Sequence, residues 1–158
     1  MLEFKQALSK LHASETFRDY QKKNASSYLT NSLHINEWQI NYFSPKTHLI
    51  TSFIINSKID SKIKKKTLEA KNQKFPVLNK NKIHIDVEKA LSNSVNNASS
   101  NELNKSNGVT IIIIQTENSI PVWNISIPTA SLKVINIKVS AESGDILEKS
   151  EKSIIETR

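Results

Sequence analysis

Residues 122–127 and 132–140 alternate in a way that leaves few folds open. Trp123, Ile125 and Ile127 fall on one side of an extended chain, and Asn124 and Ser126 on the other. Ile135, Ile137 and Val139 oppose Asn136 and Lys138 in the same manner. Side chains that alternate with period two predict strands buried on one face and open on the other. Just upstream, Val87, Ala90, Leu91, Ser94, Val95 and Ala98 recur at helical spacing behind Asp86, a good N-cap. A helix followed by Val109–Gln115, Val122–Ile127 and Leu132–Ser140 predicts an α+β class in which helices pack on an antiparallel sheet. Gly144, in Glu142-Ser143-Gly144-Asp145, supplies the positive φ that a tight turn needs.

The first half reads similarly. Leu2, Phe4, Leu8 and Leu11 lie near helical spacing, Ser14 can cap a second helical stretch, and Phe17 and Tyr20 share a face that ends near Asn24. From Trp38, Ile40 and Tyr42 onward the period is two. The turn Ser44-Pro45-Lys46-Thr47 makes residues 37–55 a hairpin. Trp38-Gln39-Ile40-Asn41 recurs as Trp123-Asn124-Ile125-Ser126, an offset of 85 residues (from 38 to 123), which suggests a tandem repeat. At that offset Ser52 takes the place of Ile137 on the core side. A register one residue away buries Leu49, Thr51, Phe53 and Ile55 instead, and the two registers exclude each other. The organisation expected is a helix-plus-hairpin unit over 1–58, a basic connecting segment over 59–82, an α-β-β-β unit over 83–148, and a flexible tail over 149–158. A third strand also fits within 56–82, and Asn96 to Gly108 reads as a loop.

Residues 83–148 resemble a PepSY-type domain. The resemblance rests on the helix Asp86–Ala98, the three strands, and the closing run Ile137-Lys138-Val139-Ser140-Ala141-Glu142-Ser143-Gly144-Asp145-Ile146-Leu147. In that run Ser140, Ser143 and Asp145 stand where the family pattern has Asp, Thr and Glu. The resemblance implies PepSY/cystatin-like units, a setting outside the cytoplasm, and binding or inhibition of peptidases.

Composition narrows the chemistry. The 158 residues include no Cys, which excludes disulfides and thiolate sites, and only two Gly, which excludes a Gly-rich phosphate loop. The net charge is +7, yet only Arg18 and Arg158 among the 22 basic residues are arginines. Arginine is the side chain that reads phosphate and guanine bidentately, so no specific nucleic-acid partner is expected. The densest basic run, Lys58 to Lys74, has no aromatic residue within it for bases to stack on, and reads as solvated surface. The first 30 residues have no apolar core of signal-peptide length, and the longest apolar run, Ile111–Ile114, is far too short to span a bilayer. The expected location is cytoplasmic, with no membrane span.

No catalytic, cofactor or metal residue is nominated. His12, His34, His48 and His84 lack a ligand spacing; His84 and Asp86 come nearest, and read as a strand histidine and a helix cap. Trp38 and Trp123 read as core with a bonded indole N–H. The function expected is a non-catalytic module that binds a protein or peptide; the resemblance extends this to regulating a peptidase. The alternatives are a small basic nucleic-acid-associated protein and a small-molecule binder with a pocket between helix and sheet. One strand breaks the alternation: in Val109–Gln115 both faces are apolar, so a cover is needed for the second. Packing against the N-terminal half is the cheapest, and Ile112 and Ile114 are otherwise the candidate partner surface.

Overall fold

A computed structural model describes residues 1–55, 64–70, 75–97 and 108–155. The chain divides into two compact units, Met1–Asn79 and Lys80–Arg158. The expected loop 96–108 falls mostly outside the described residues.

The first unit opens with α1 (Phe4–His12), which buries Phe4, Ala7, Leu8 and Leu11 at one-turn spacings. Helix α2 (Glu15–Lys23) follows as a separate helix. The break is chemical: the Ser14 hydroxyl donates to the Leu11 carbonyl (2.6 Å) and accepts from the Phe17 N–H (3.1 Å), closing one helix and capping the next. Four antiparallel strands then pair in chain order: β1 (Tyr28–His34), β2 (Trp38–Ser44), β3 (Leu49–Ile55) and β4 (Lys64–Glu69). Trp38, Ile40, Tyr42, Phe53 and Ile55 face the helices and are buried. Their rings meet those of the helices: Phe4 with Trp38 (5.4 Å between centroids), Phe17 with Tyr42 (4.9 Å) and Tyr20 with Phe53 (5.2 Å).

Among its described residues the second unit has one α-helix, α3 (Val87–Asn97), and four strands in chain order: β5 (Ile111–Glu117), β6 (Ile120–Pro128), β7 (Lys133–Ser140) and β8 (Ile146–Ser153). Asp86 caps α3 by accepting from the Lys89 N–H (2.9 Å). Val87, Ala90 and Ser94 are fully buried, whereas Val95, expected on the same stripe, is exposed. Ala141, just past β7, anchors the helix entry: its carbonyl accepts from the N–H groups of both His84 (2.8 Å) and Ile85 (2.9 Å). Gly144 has φ +84°, as its turn requires.

Several expectations change. The fold is dominated by sheet, eight strands against three helices of 9, 9 and 11 residues among the described residues, and is not one of helices packed on a sheet as in PepSY/cystatin-like units. The surplus strands come from segments without apolar alternation. The basic connecting segment contains β4, which pairs with β3 from Ile54↔Lys64 to Leu49↔Glu69. The tail is ordered through Ser153 as β8, held on β7 with Lys133–Glu151 (3.0 Å) and Lys138–Glu148 (3.7 Å) as cross-strand ion pairs. Strand β1 escapes detection because two of its buried positions are hydroxyls. Ser32 donates to the Gln39 carbonyl (2.8 Å) and Thr30 to the Pro76 carbonyl (3.0 Å), so both are buried at little cost.

The register conflict also resolves. Trp38 lies opposite Ile55 and Ile40 opposite Phe53, while Trp123 lies opposite Val139 and Ile125 opposite Ile137. Phe53, not Ser52, corresponds to Ile137. The β2–β3 connection holds six residues between Phe43 and Ile50, and the β6–β7 connection five between Pro128 and Val134, so the offset changes by one across the hairpin.

Both tryptophans bury their rings and donate from the indole N–H to a backbone carbonyl, Trp38 to Leu2 (2.7 Å) and Trp123 to Ile85 (2.9 Å). Replacing either by Phe keeps most of the ring but orphans the carbonyl. Urea denaturation should show a loss of about 1–3 kcal/mol for Trp38→Phe and for Trp123→Phe. Wild-type stability in both variants would show that these bonds carry nothing.

Candidate binding face

The strand alternation that buries one face of each ladder leaves the other facing away from that unit's helices. In the second unit this open face carries Asn124 and Ser126 of β6, Asn136 and Lys138 of β7, and Glu148, Ser150 and Lys152 of β8. Asn136 donates from its amide to Asn124 Oδ1 (2.7 Å) and to Ser126 Oγ (2.8 Å). Lys138 is bonded to Glu117 Oε2 (3.0 Å), which in turn has its other oxygen on the Gln115 amide (2.8 Å). The hydrogen bond to Glu117 is the main reason the Lys138 ammonium is held above its ordinary pKa. Val134, Asn136, Lys138, Glu148, Ser150 and Lys152 line a depression of about 380 Å³ on this face.

The first unit repeats the arrangement with different side chains. Gln39, Asn41 and Ser52 occupy the positions of Asn124, Ser126 and Asn136. Ser52 donates to Asn41 Oδ1 (2.6 Å), Gln39 to the same oxygen (3.2 Å), and Asn41 to Asn31 Oδ1 (2.6 Å). Each ladder thus carries a hydrogen-bonded set of amides and hydroxyls on the face opposite its helices; in the first unit Asn41 and Ser52 are buried, while in the second Asn124, Ser126 and Asn136 are only half-buried. At the hairpin end of the first unit, Leu33, Ile35, Asn36, Glu37, Gln39 and Ile54 line a depression of about 280 Å³. Of these polar residues, Gln39, Asn41, Asn124, Ser126, Asn136 and Lys138 were read from the sequence as outward positions, whereas Ser52 stood between two registers and Glu148, Ser150 and Lys152 fell in the expected tail. The available signal was Asn in mid-strand, where its side chain competes with the backbone and is normally depleted.

The residues nominated from the sequence as a partner surface lie elsewhere. Ile112 is 2% exposed and Ile114 fully buried, opposite Ile125 and Trp123 on the side that faces α3. They belong to the core of their own unit and offer no surface. The second apolar face of β5 is formed by Ile111 and Ile113, of which Ile111 is 37% exposed.

The histidines do not assemble a metal or catalytic centre, and no group of three His, Cys, Asp or Glu able to hold a metal occurs among the described residues. His12 Nε2 lies 2.7 Å from the Tyr42 hydroxyl, with its ring stacked on Phe17. Burial, with the neighbouring Tyr20 second, raises the Tyr42 pKa well above the usual phenol range, so this pair supplies no phenolate near neutrality. His34 packs edge-on against Trp38 (4.8 Å between centroids). His48 sits in the β2–β3 turn at φ +56°, and His84 is exposed beside the capping Asp86.

No family model matches the chain, and neither does any curated protein. A solved structure does. The fold is similar to that of a protein described as a "putative lipoprotein" from Clostridium difficile 630, with a TM-score of 0.59 and 12% sequence identity over 87% of this chain and 91% of that one. At that identity the likeness is one of fold. No helix among the described residues is long and apolar enough to cross a membrane.

Two measurements test these assignments. Ile112→Lys and Ile114→Lys each place an unpaired ammonium in the α3-facing core and should cost about 4 kcal/mol or more by chemical denaturation. An unchanged midpoint in either would return that face to the surface. Burial lowers the pKa of His34 below its ordinary 6.5, so the unfolded chain holds more protons than the folded one in the window just under that value. Stability contributed by neutral His34 is therefore present above pH 6.5 and lost as the pH falls below it. His34→Asn should flatten the melting temperature between pH 7 and 5 relative to the parent; parallel profiles would remove His34 as the cause.

Proposed function

We propose that the protein is a non-catalytic binding module that recognises a protein or peptide through the open face of a ladder. The observation that carries this reading is the recurrence of a hydrogen-bonded amide–hydroxyl set at equivalent positions in both units, Gln39-Asn41-Ser52 and Asn124-Ser126-Asn136. Their mutual bonds fix the side chains, and in the second unit, where Asn124, Ser126 and Asn136 are only half-buried, an amide or hydroxyl so fixed retains capacity for further bonds, whereas Asn41 and Ser52 are buried. An extended polypeptide offers amides and carbonyls at a matching repeat. In the second unit the rim of charges, Lys138 paired with Glu148 and beside them Lys152, adds selectivity at low affinity cost.

A finer form rests only on the closing run Ile137–Leu147, whose sequence is similar to that of PepSY-type domains: the bound protein is a peptidase and binding regulates it. The pocket between helix and sheet has less support, since Val87, Ala90, Ser94, Trp123 and Ile137 fill that space in the second unit.

Peptides selected from a random display library against the intact chain test the proposal. Their affinity should fall at least tenfold on Asn124→Ala combined with Asn136→Ala, and again with Lys152→Glu, while a circular-dichroism melt confirms folding. Peptides that bind these variants as well as the parent would sink the assignment to this face.

A further inference from the structure

The densest basic run of the chain lies partly on a sheet edge, and the open-face reading makes no use of it. Strand β4 reads Lys-Lys-Lys-Thr-Leu-Glu. It pairs with β3 on one side, and no strand lies on its other side among the described residues. The Ala70 N–H just beyond it donates to the His48 carbonyl on β3 (2.9 Å). Backbone groups along an antiparallel strand point alternately toward and away from the partner. The main-chain groups of Lys65 and Thr67 therefore point outward, away from β3. An outward row of N–H and C=O groups is a template for one more strand.

The side chains decide which strand fits. Lys65, Lys66, Thr67, Leu68 and Glu69 are all exposed. Lys65 lies on the helix side, with its ammonium 5.5 Å from the centre of the Tyr20 ring. Lys66 pairs with Ser52 and so points to the opposite face. Positive charge thus flanks the edge above and below. A basic strand is turned away, a neutral one gains nothing from the charge, and a second copy of β4 would set one surplus of lysine against another. An acidic strand meets lysine on both faces, where opposite charges directly across a ladder are favourable and like charges are not. The outer strand of the second unit's ladder, β8, alternates Glu148, Lys149, Glu151 and Lys152, and has no such preference.

We infer that β4 is a docking edge for an extended acidic segment of another polypeptide, which adds to it as a strand. Main-chain hydrogen bonds supply the affinity and the lysines supply the selection. The inference stands on residues separate from the open face, so either site can fail without the other.

The test uses the full chain and a fluorescein-labelled peptide of alternating Glu and Val, followed by anisotropy. Three changes read different parts of the claim. Lys65→Glu with Lys66→Glu reverses the charge at exposed positions. Thr67→Pro removes an outward N–H and keeps the charge. A peptide N-methylated at alternate residues keeps the acid and removes its donors. Salt-sensitive binding is expected that weakens at least tenfold under each change, with melting curves showing the variants folded. Tight binding that survives Lys65→Glu/Lys66→Glu would overturn the inference. Loss with charge reversal alone, and none with Thr67→Pro or the N-methylated peptide, would overturn strand addition in favour of simple ionic attraction. Failure of the peptide to bind, or a dimer in sedimentation that Thr67→Pro abolishes and the peptide does not displace, would overturn it as well.

Discussion

The bond from each indole N–H to the chain just ahead of a helix is the constraint on which the rest of each unit depends. The carbonyl of a helix N-cap is already used: Ala7 donates to Glu3 and Ala90 to Asp86, both at 3.0 Å. The carbonyl one residue earlier is the first that the helix leaves unbonded. Those carbonyls are Leu2 and Ile85, and they are the ones that accept from Trp38 and Trp123. A buried indole N–H must find an acceptor, and this one fixes where the helix begins against the second strand of its ladder. With the start fixed, helical periodicity aims Phe4, Ala7, Leu8 and Leu11 in one unit, and Val87, Ala90 and Ser94 in the other, at the strands.

That geometry explains what was readable from residues alone. The Trp-x-Ile-x repeat marks the second strand of each ladder, and the core side chains around it alternate as the sequence suggests. What escaped, or in the case of β4 stood only as an alternative to a linker, was any strand whose buried or paired positions are polar. β1 hides Thr30 and Ser32 among its core positions, and β4 and β8 present charge on both faces. Such strands owe their order to a neighbour's backbone, and a neighbour is not encoded locally. The candidate surface failed for a related reason. In a strand that is apolar on both faces, composition cannot say which face meets the helix; only the pairing of Ile112 with Ile125 and of Ile114 with Trp123 decides it.

The lysine excess also takes on structural meaning once the ladders are drawn. Lys133 and Lys138 are held by carboxylates across the strands, so part of the formal charge is spent inside cross-strand pairs. On β8 both signs alternate, which blunts the edge against pairing of any kind. On β4 one sign dominates, and that blunts the edge against most partners while leaving one class admitted. The same residue type therefore protects one edge and discriminates at another, and the difference is the acidic residues interleaved with it.

The polar faces follow from burying only one side of a sheet against helices, and the second unit's is the more open of the two. A side chain there must suit a strand, tolerate water and not pair with other sheets. Asn, Ser and Gln satisfy the last two conditions and are poor at the first, because they compete for the backbone. Bonding them to one another removes that competition: Asn136 is engaged by Asn124 and Ser126, and Asn41 by Ser52, Gln39 and Asn31. The arrangement that makes these residues compatible with a strand also holds their remaining donors and acceptors still. They are spaced by the inter-strand distance of about 4.8 Å. A loop of the same composition would have to order those groups on binding, at a cost of about 0.5–1.5 kcal/mol for each immobilised side chain. Here that ordering is already a by-product of folding, which favours the polar face over the aromatic core as the proposed recognition surface.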